Sequence, residues 1–497
     1  MIRINPGLRI FALVAPLCLI LGWLIGVGWY PPVIIVLAPF AGLAILARPR
    51  AAVWLALLGA LVVAGLLQLY VPKWQAVRWL VSLLGVAIGA VVLISSLWAG
   101  RVKLSEDSRR FFFWAAALFV IAFLANMLQS GSIAVAAVGL KSYFQLWGLL
   151  LAIVFMGYTA AEAGRFLYFL LGLALIQWPF ALHQYFVLVP KRTNDLDAAQ
   201  GVVPVDIVSG TFGGNLHGGG LSMDSAVLAS ITLALAFALK RSERLSRNQV
   251  LLFSAFILLP MLFNEAKAIV VLLPMALFTV YRDKLLKNPL QFIGGSIVAI
   301  ALVGGLLAGY SMLPGAGGGK QAGRLDSFLK DSVLTNFGER GYGRSLLNRT
   351  TVYRHWFEEN VIKGSFDKVL IGHGPGATNS GSAVSGDVSI AAKRYRGYNI
   401  GLTSLSALLW EVGVLGVLAV AGMMWTLYRS ASALVDSQLG TAHWPLVLTA
   451  KAAIPVFVFS LFLINYFVID LGMQAMFVTV ASYILCMSNL EDSRRGR

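Results

Sequence analysis

The sequence predicts an all-α fold: a polytopic transmembrane bundle of about fourteen spans with a long outward-facing loop containing short helices. Three observations predict it. Of 497 residues, 58% are hydrophobic and only 12% are charged, against about 25% charged in a soluble domain. Apolar runs near the roughly 20 residues that a spanning helix needs recur from end to end. The short polar loops between them alternate in Lys and Arg content, as the positive-inside rule requires.

The runs lie near 10–28, 32–47, 52–70, 78–99, 111–128, 141–158, 166–188, 223–240, 248–263, 267–281, 290–310, 400–428, 444–463 and 466–488. The first follows Arg3 and Arg9 as a signal peptide would, but no small-residue cleavage site precedes Pro31-Pro32, so it reads as a retained span. With both termini in the cytoplasm, the inside loops carry Arg48, Arg50, Arg101, Lys103, Arg109, Arg110, Arg165, Lys240, Arg241, Arg244, Arg247, Arg282, Lys284, Lys287 and Arg429. The short outside loops hold little more than Lys73, Arg78 and Lys267. The chain therefore divides into N-terminal spans (1–188), a first outer loop (189–222), central spans (223–310), a large outer loop (311–399) and C-terminal spans (400–497).

The net charge of +17 belongs largely to these orienting loops. No basic run is interleaved with aromatics in a soluble domain, so a nucleic-acid partner is not indicated; the partner implied is the lipid bilayer. Cys18 and Cys486 lie far apart in apolar runs, without metal-ligand or redox spacing.

Two outer loops break the charge rule. The larger carries twelve Lys and Arg against seven Asp and Glu, a net of +5. Long loops cross a membrane largely regardless of charge, so the excess reads either as a solvated surface with ordinary ion pairs or as an anion site. Within it, Arg344, Arg349 and Arg354 fall along an amphipathic helical stretch, with Glu358 and Glu359 one turn on. A guanidinium is a planar fork that fits phosphate oxygens; a salt-bridged surface helix is the plainer alternative.

Gly372-His373-Gly374-Pro375-Gly376 is a tight turn after the apolar Val369-Leu370-Ile371, with neither Walker nor dinucleotide spacing. His373 is a candidate general base, since imidazole titrates near neutrality, although a lone His in a turn is commonly structural. Lys267 follows Asn264-Glu265-Ala266 at the outer end of two apolar runs, where it could serve a site or snorkel. The glycine-rich run Ser209–Gly220 with Asn215 and His217 enters the span at Met223, and its amides could face an anion. Asp195-Leu196-Asp197 has the carboxylate spacing of metal-dependent sugar transferases, a spacing common by chance. Glu411 is placed about 12 residues, roughly 18 Å, into the span at 400–428. An intramembrane acid is either functional or hydrogen-bonded to a neighbouring helix.

Taken in order, these pieces resemble the O-antigen polymerase and O-antigen ligase superfamily of bacterial envelope glycosyltransferases, over roughly residues 205–420. Gly210-Thr211-Phe212 with Asn215 resembles its Gly-Thr-Phe…Asn turn. Lys267 stands where it often has Arg. Arg349 with Trp356 and Gly372-His373-Gly374 resembles its Arg…Trp…Gly-x-Gly segment. Tyr398-Asn399 with Glu411, Gly413 and Gly416 resembles its His-Asn…Glu-x-Gly-x-x-Gly helix start. Ligases of the family use the His of His-Asn; Tyr398 in its place leaves polymerase the closer likeness.

The resemblance implies a bacterial inner-membrane enzyme that works at the outer face. It would transfer glycan from a polyprenyl-pyrophosphate carrier, with a chain-length regulator and a flippase as pathway partners and with no cofactor or metal. Arg349 and Lys267, with Arg354 behind them and Asn215 beside them, would bind the pyrophosphate. His373 or Tyr398 would handle the acceptor proton, and Asn399, Glu411, Trp356 and His217 would support the site. Transfer to another acceptor as a ligase, a lipid-linked-oligosaccharide flippase or exporter, and a non-catalytic assembly scaffold are the alternatives. A flippase can manage with short loops, whereas this chain concentrates charge in a long one.

Overall fold

The computed structural model describes residues 47–74, 77–99, 104–130, 132–193, 204–215, 219–264, 267–288, 347–379 and 389–495, with isolated residues between 290 and 338. The chain separates into two compact units, Met1–Leu55 and Ala56–Arg497; apart from the start of the helix Pro49–Tyr70, the features described below lie in the second.

The fold is helical. Among the described residues, seven helices are long and apolar enough to cross a membrane: Pro49–Tyr70, Pro72–Trp98, Glu106–Gln129, Ala160–Lys191, Ser222–Arg241, Gly413–Ser437 and Leu471–Arg494. Ile133–Phe144 and Trp147–Phe155, bent by 42°, make an eighth if they form one span. Arg247–Phe263 and Trp444–Ser460 are apolar but shorter. Ile269–Lys287 is also helical; its last turns carry Arg282, Asp283, Lys284 and Lys287. The runs expected at 10–28 and 32–47, and most of 290–310, lie outside the described residues.

Local chemistry sets the helix starts. Ser105 accepts from the Ser108 amide, Thr159 and Glu162 form a capping box, and Ser246 and Gln249 form another. Each satisfies amides that the first helical turn leaves without partners. Between helices, small residues permit close approach, as expected where lipid removes the hydrophobic drive between spans. A Cβ on Gly148 would lie 1.8 Å from the Gly85 carbonyl, and one on Gly422 would meet the Trp114 ring at 2.4 Å.

One expected span is not a single helix. The run at 400–428 divides into α1, Ser404–Glu411, and α2, Gly413–Ser437. Val412 leaves helical geometry (φ −123°, ψ 5°) and Gly413 takes φ +63°. Glu411 therefore ends a short helix just before the spanning one, rather than lying deep in a span. Ending a helix strips its last carbonyls of donors. Here the polar loop supplies them: Trp356 Nε1 donates to the Leu409 carbonyl (3.1 Å). The His373 amide donates to Trp410 (2.7 Å) and the Gly374 amide to Glu411 (2.9 Å).

The break and the turn interlock sterically. A Cβ on Gly413 would lie 2.4 Å from the Leu370 carbonyl, and one on Gly372 (φ +75°) 2.5 Å from the Glu411 carbonyl carbon. Gly413→Val adds a clash to a left-handed backbone, which costs about 1–3 kcal/mol for the backbone alone. We expect a clearly lowered thermal midpoint in detergent. Gly172→Ala, with nothing within 4 Å of its Cβ, should leave the midpoint unchanged or slightly raised. Equal midpoints for the two variants would contradict the interlock.

Candidate functional site

Two helices of the loop, α3 (Thr351–Trp356, continuing as a π turn over Phe357–Ile362) and α4 (Phe366–Ile371), pack onto α1 and α2. Thr403 caps α1 through the Ser406 amide and also meets the Tyr353 hydroxyl at 2.9 Å. Trp356, Ala391, Tyr395, Ile400 and Trp410 form one buried apolar cluster. It holds two imidazoles in place. The His355 ring stacks on Tyr398 (5.4 Å, 8° between planes) and meets Tyr395 edge-on at 5.3 Å. The Trp410 ring lies 6.0 Å from His355 and 5.5 Å from His373.

His373 Nε2 lies 2.8 Å from Asn360 Oδ1, while Asn360 Nδ2 donates to the Trp356 carbonyl at 3.1 Å. With the amide oriented so, His373 carries its proton on Nε2 and keeps a lone pair on Nδ1. Burial, with Lys368 and Arg394 adding to it, pushes the His373 pKa down to about 4. Burial also lowers that of His355, whose Nε2 has no hydrogen-bond partner. Both shifts favour the neutral ring. Glu359 binds Lys363 (2.8 Å), the Tyr395 hydroxyl (2.8 Å) and Arg394 (3.0 Å). Its bond to Lys363 and the one from Tyr395 hold its carboxyl below the usual range.

The structure thus joins Trp356, His373, Tyr398 and Glu411 around the end of α1. Tyr398 is 40% exposed, and Asn399 beside it is exposed, its carbonyl accepting from the Leu402 amide. Glu411 is buried and accepts from the Thr378 amide (2.9 Å) and hydroxyl (2.6 Å), the hydrogen-bonded arrangement weighed against a catalytic one. Arg349 Nε donates to the Leu463 carbonyl at 2.7 Å, so part of its guanidinium ties the loop to the turn before the last span. Arg354 is an exposed i,i+4 partner of Glu358, the plainer of its two readings. Lys267 sits in the turn leading into Ile269–Lys287.

Asn215 pairs with Gly219 in an antiparallel pair of two-residue strands. The run before it is not open to an anion at its first amides. Gln184 accepts from the Ser209 and Gly210 amides (2.9 and 2.8 Å), and Gln177 accepts from Thr211 (2.8 Å). His217, Glu265, Arg344, Asp195 and Asp197 lie outside the described residues. Among the described residues, no group of three His, Cys, Asp or Glu side chains is placed to hold a metal ion.

A second cluster escaped the sequence reading. Arg78 donates to Asp470 at 2.8 Å and to Gln68 at 3.1 Å. Asp470 also caps Leu471–Arg494 through the Gly472 amide at 2.7 Å. Asp224 is fully buried with no hydrogen bond to either oxygen. A Cβ on Gly472 would lie 2.7 Å from Asp224 Oδ2 and 3.0 Å from Asp470 Oδ2, so the glycine makes room for the two carboxyls. The pairing joins residues 392 apart in sequence; only an acid just before an apolar run, as at Asp470, hinted at it.

No protein-family model, curated protein or solved structure matches the chain.

The depressed His373 pKa has a sign. Above pH 6.5 the ring is neutral in both folded and unfolded chains. As pH falls from about 6.5 toward 4, the unfolded chain takes up a proton that the folded one refuses, and folding weakens by up to about 1.4 kcal/mol per unit. His355 adds in the same direction. Between pH 7 and pH 5, the wild type should therefore lose more thermal stability than His373→Gln. Parallel losses would place His373 in contact with water and not in the packed turn.

Proposed function

We propose that the chain is a glycosyltransferase of the bacterial inner membrane. It polymerises oligosaccharide repeats carried on polyprenyl pyrophosphate, with the 348–411 region facing outward. The observation that carries this reading is the aromatic and imidazole cluster at the end of α1. It combines surfaces suited to sugar rings with two neutral imidazoles, in the same segment that resembles the O-antigen polymerases and ligases.

In this reading the acceptor sugar's hydroxyl oxygen attacks the anomeric carbon of the donor. The bond from that carbon to the pyrophosphate oxygen breaks, and the electron pair leaves with the lipid pyrophosphate. The hydroxyl proton passes to Nδ1 of His373, or to His355. Arg349 and Lys267 oppose the charge that grows on the departing pyrophosphate, where fixed cations act most strongly. Arg354 and Asn215 would add to the pyrophosphate contacts. Tyr398, on its His355 platform, offers an exposed aromatic face to a sugar, and Asn399 lies next to it. Glu411 and Trp356 act through the backbone they hold. The scheme needs no cofactor.

Arg349→Lys keeps a charge but loses the fork geometry. We expect normal protein level and chain synthesis reduced tenfold or more, or about 1.4 kcal/mol of transition-state stabilisation; Arg349→Ala should be worse. Unchanged polymer from Arg349→Ala at an unchanged protein level would leave Arg349 a structural role, and the cation site would lie elsewhere.

A further inference from the structure

Val361 to Asp367 form an unbroken run of exposed residues in the polar loop. Ile362 and Phe366 are 66% and 76% exposed, and Phe357, one turn earlier, is 50% exposed. Large apolar side chains grouped in this way mark a surface that is covered in use. Their surroundings identify the cover. Gln129 Nε2 donates to Asp367 at 2.6 Å, and Gln129 ends the spanning helix Glu106–Gln129. Beside it, Met127, Leu128 and Ile133 are also strongly exposed. An apolar residue exposed on a spanning helix faces lipid, so Phe366 lies next to the margin of a lipid-facing surface.

The charges fit the same occupant. Arg354 and Lys363 are exposed, and Lys368 is half-buried. Opposing them are Glu358, which pairs with Arg354, Glu359, which pairs with Lys363 and Arg394, and Asp367, held by Gln129. An apolar edge bordered by long basic side chains is the pattern of a segment lying in a membrane interface, with ammonium groups reaching lipid phosphates.

We propose that residues 357–368 dock on the surface of the bilayer the chain itself spans, on the side where the loop lies. Phe357, Val361, Ile362 and Phe366 enter the boundary between headgroups and acyl chains, while Lys363 and Lys368 meet headgroup phosphates. The docking is independent of the reaction proposed above. Its consequence is positional: His373, five residues beyond Lys368, is fixed near headgroup level instead of in bulk water.

The test uses the full chain with Cys18→Ser and Cys486→Ala, spin-labelled at Ile362→Cys, Phe366→Cys or, as an exposed loop control, Arg396→Cys. Each is reconstituted into phosphatidylethanolamine–phosphatidylglycerol vesicles. The ratio of collisions with oxygen to collisions with an aqueous nickel chelate should be several-fold higher at 362 and 366 than at 396. Nickel access at 362 and 366 equal to that at 396 would overturn the proposal. So would shielding from both reagents, or spin–spin broadening, which would mean a protein partner or a second copy on this face.

Discussion

Three consecutive carbonyls at the end of a broken helix govern the arrangement of the polar loop. Leu409, Trp410 and Glu411 lose their helical donors where the chain turns at Val412 and Gly413. They regain them from Trp356, His373 and Gly374. A buried carbonyl without a partner costs about 1–3 kcal/mol, so the break and the loop stabilise each other. Both imidazoles, Tyr398 and the Glu411–Thr378 contact are positioned by this junction. The glycines are part of it, because a side chain on Gly372 or Gly413 would separate the two surfaces.

The junction explains what the sequence could and could not disclose. Apolar runs and loop charges announced a helical membrane bundle, since span length and polarity are local properties. Trp356, His373, Tyr398 and Glu411 each stood out as polar or aromatic residues at unusual positions. Their meeting did not. The run at 400–428 reads as one continuous helix, because each Gly in a helix interior costs only about 1 kcal/mol. The break exists only because donors distant in sequence arrive to satisfy it. His355 is inconspicuous in the sequence for the same reason, as its distinction lies in the Tyr398, Tyr395 and Trp410 rings around it. Arg78 and Asp470 are the extreme case: each is ordinary at its own position, and their pairing joins segments 392 residues apart.

The same physics separates structural from chemical roles. The first amides of the glycine-rich turn at Ser209–Thr211 looked free to bind an anion, yet two glutamines from the preceding helix occupy them. Buried amides are rarely left open in a well-packed bundle. By contrast, His373 holds its proton toward Asn360 and leaves a lone pair, and His355 has an unpartnered nitrogen in a buried aromatic pocket. Unspent capacity of this kind, near an exposed tyrosine face, is what directs attention to this end of the molecule rather than to the inner loops.

The glycan in a deletion strain tests the central claim most directly. If the chain polymerises lipid-linked repeats, the strain should accumulate single repeats on the polyprenyl carrier at the outer face, and the intact gene should restore long chains. Long chains still attached to the lipid would indicate ligase chemistry, and repeats trapped at the inner face would indicate a flippase. Either result would contradict polymerisation as the activity of this chain.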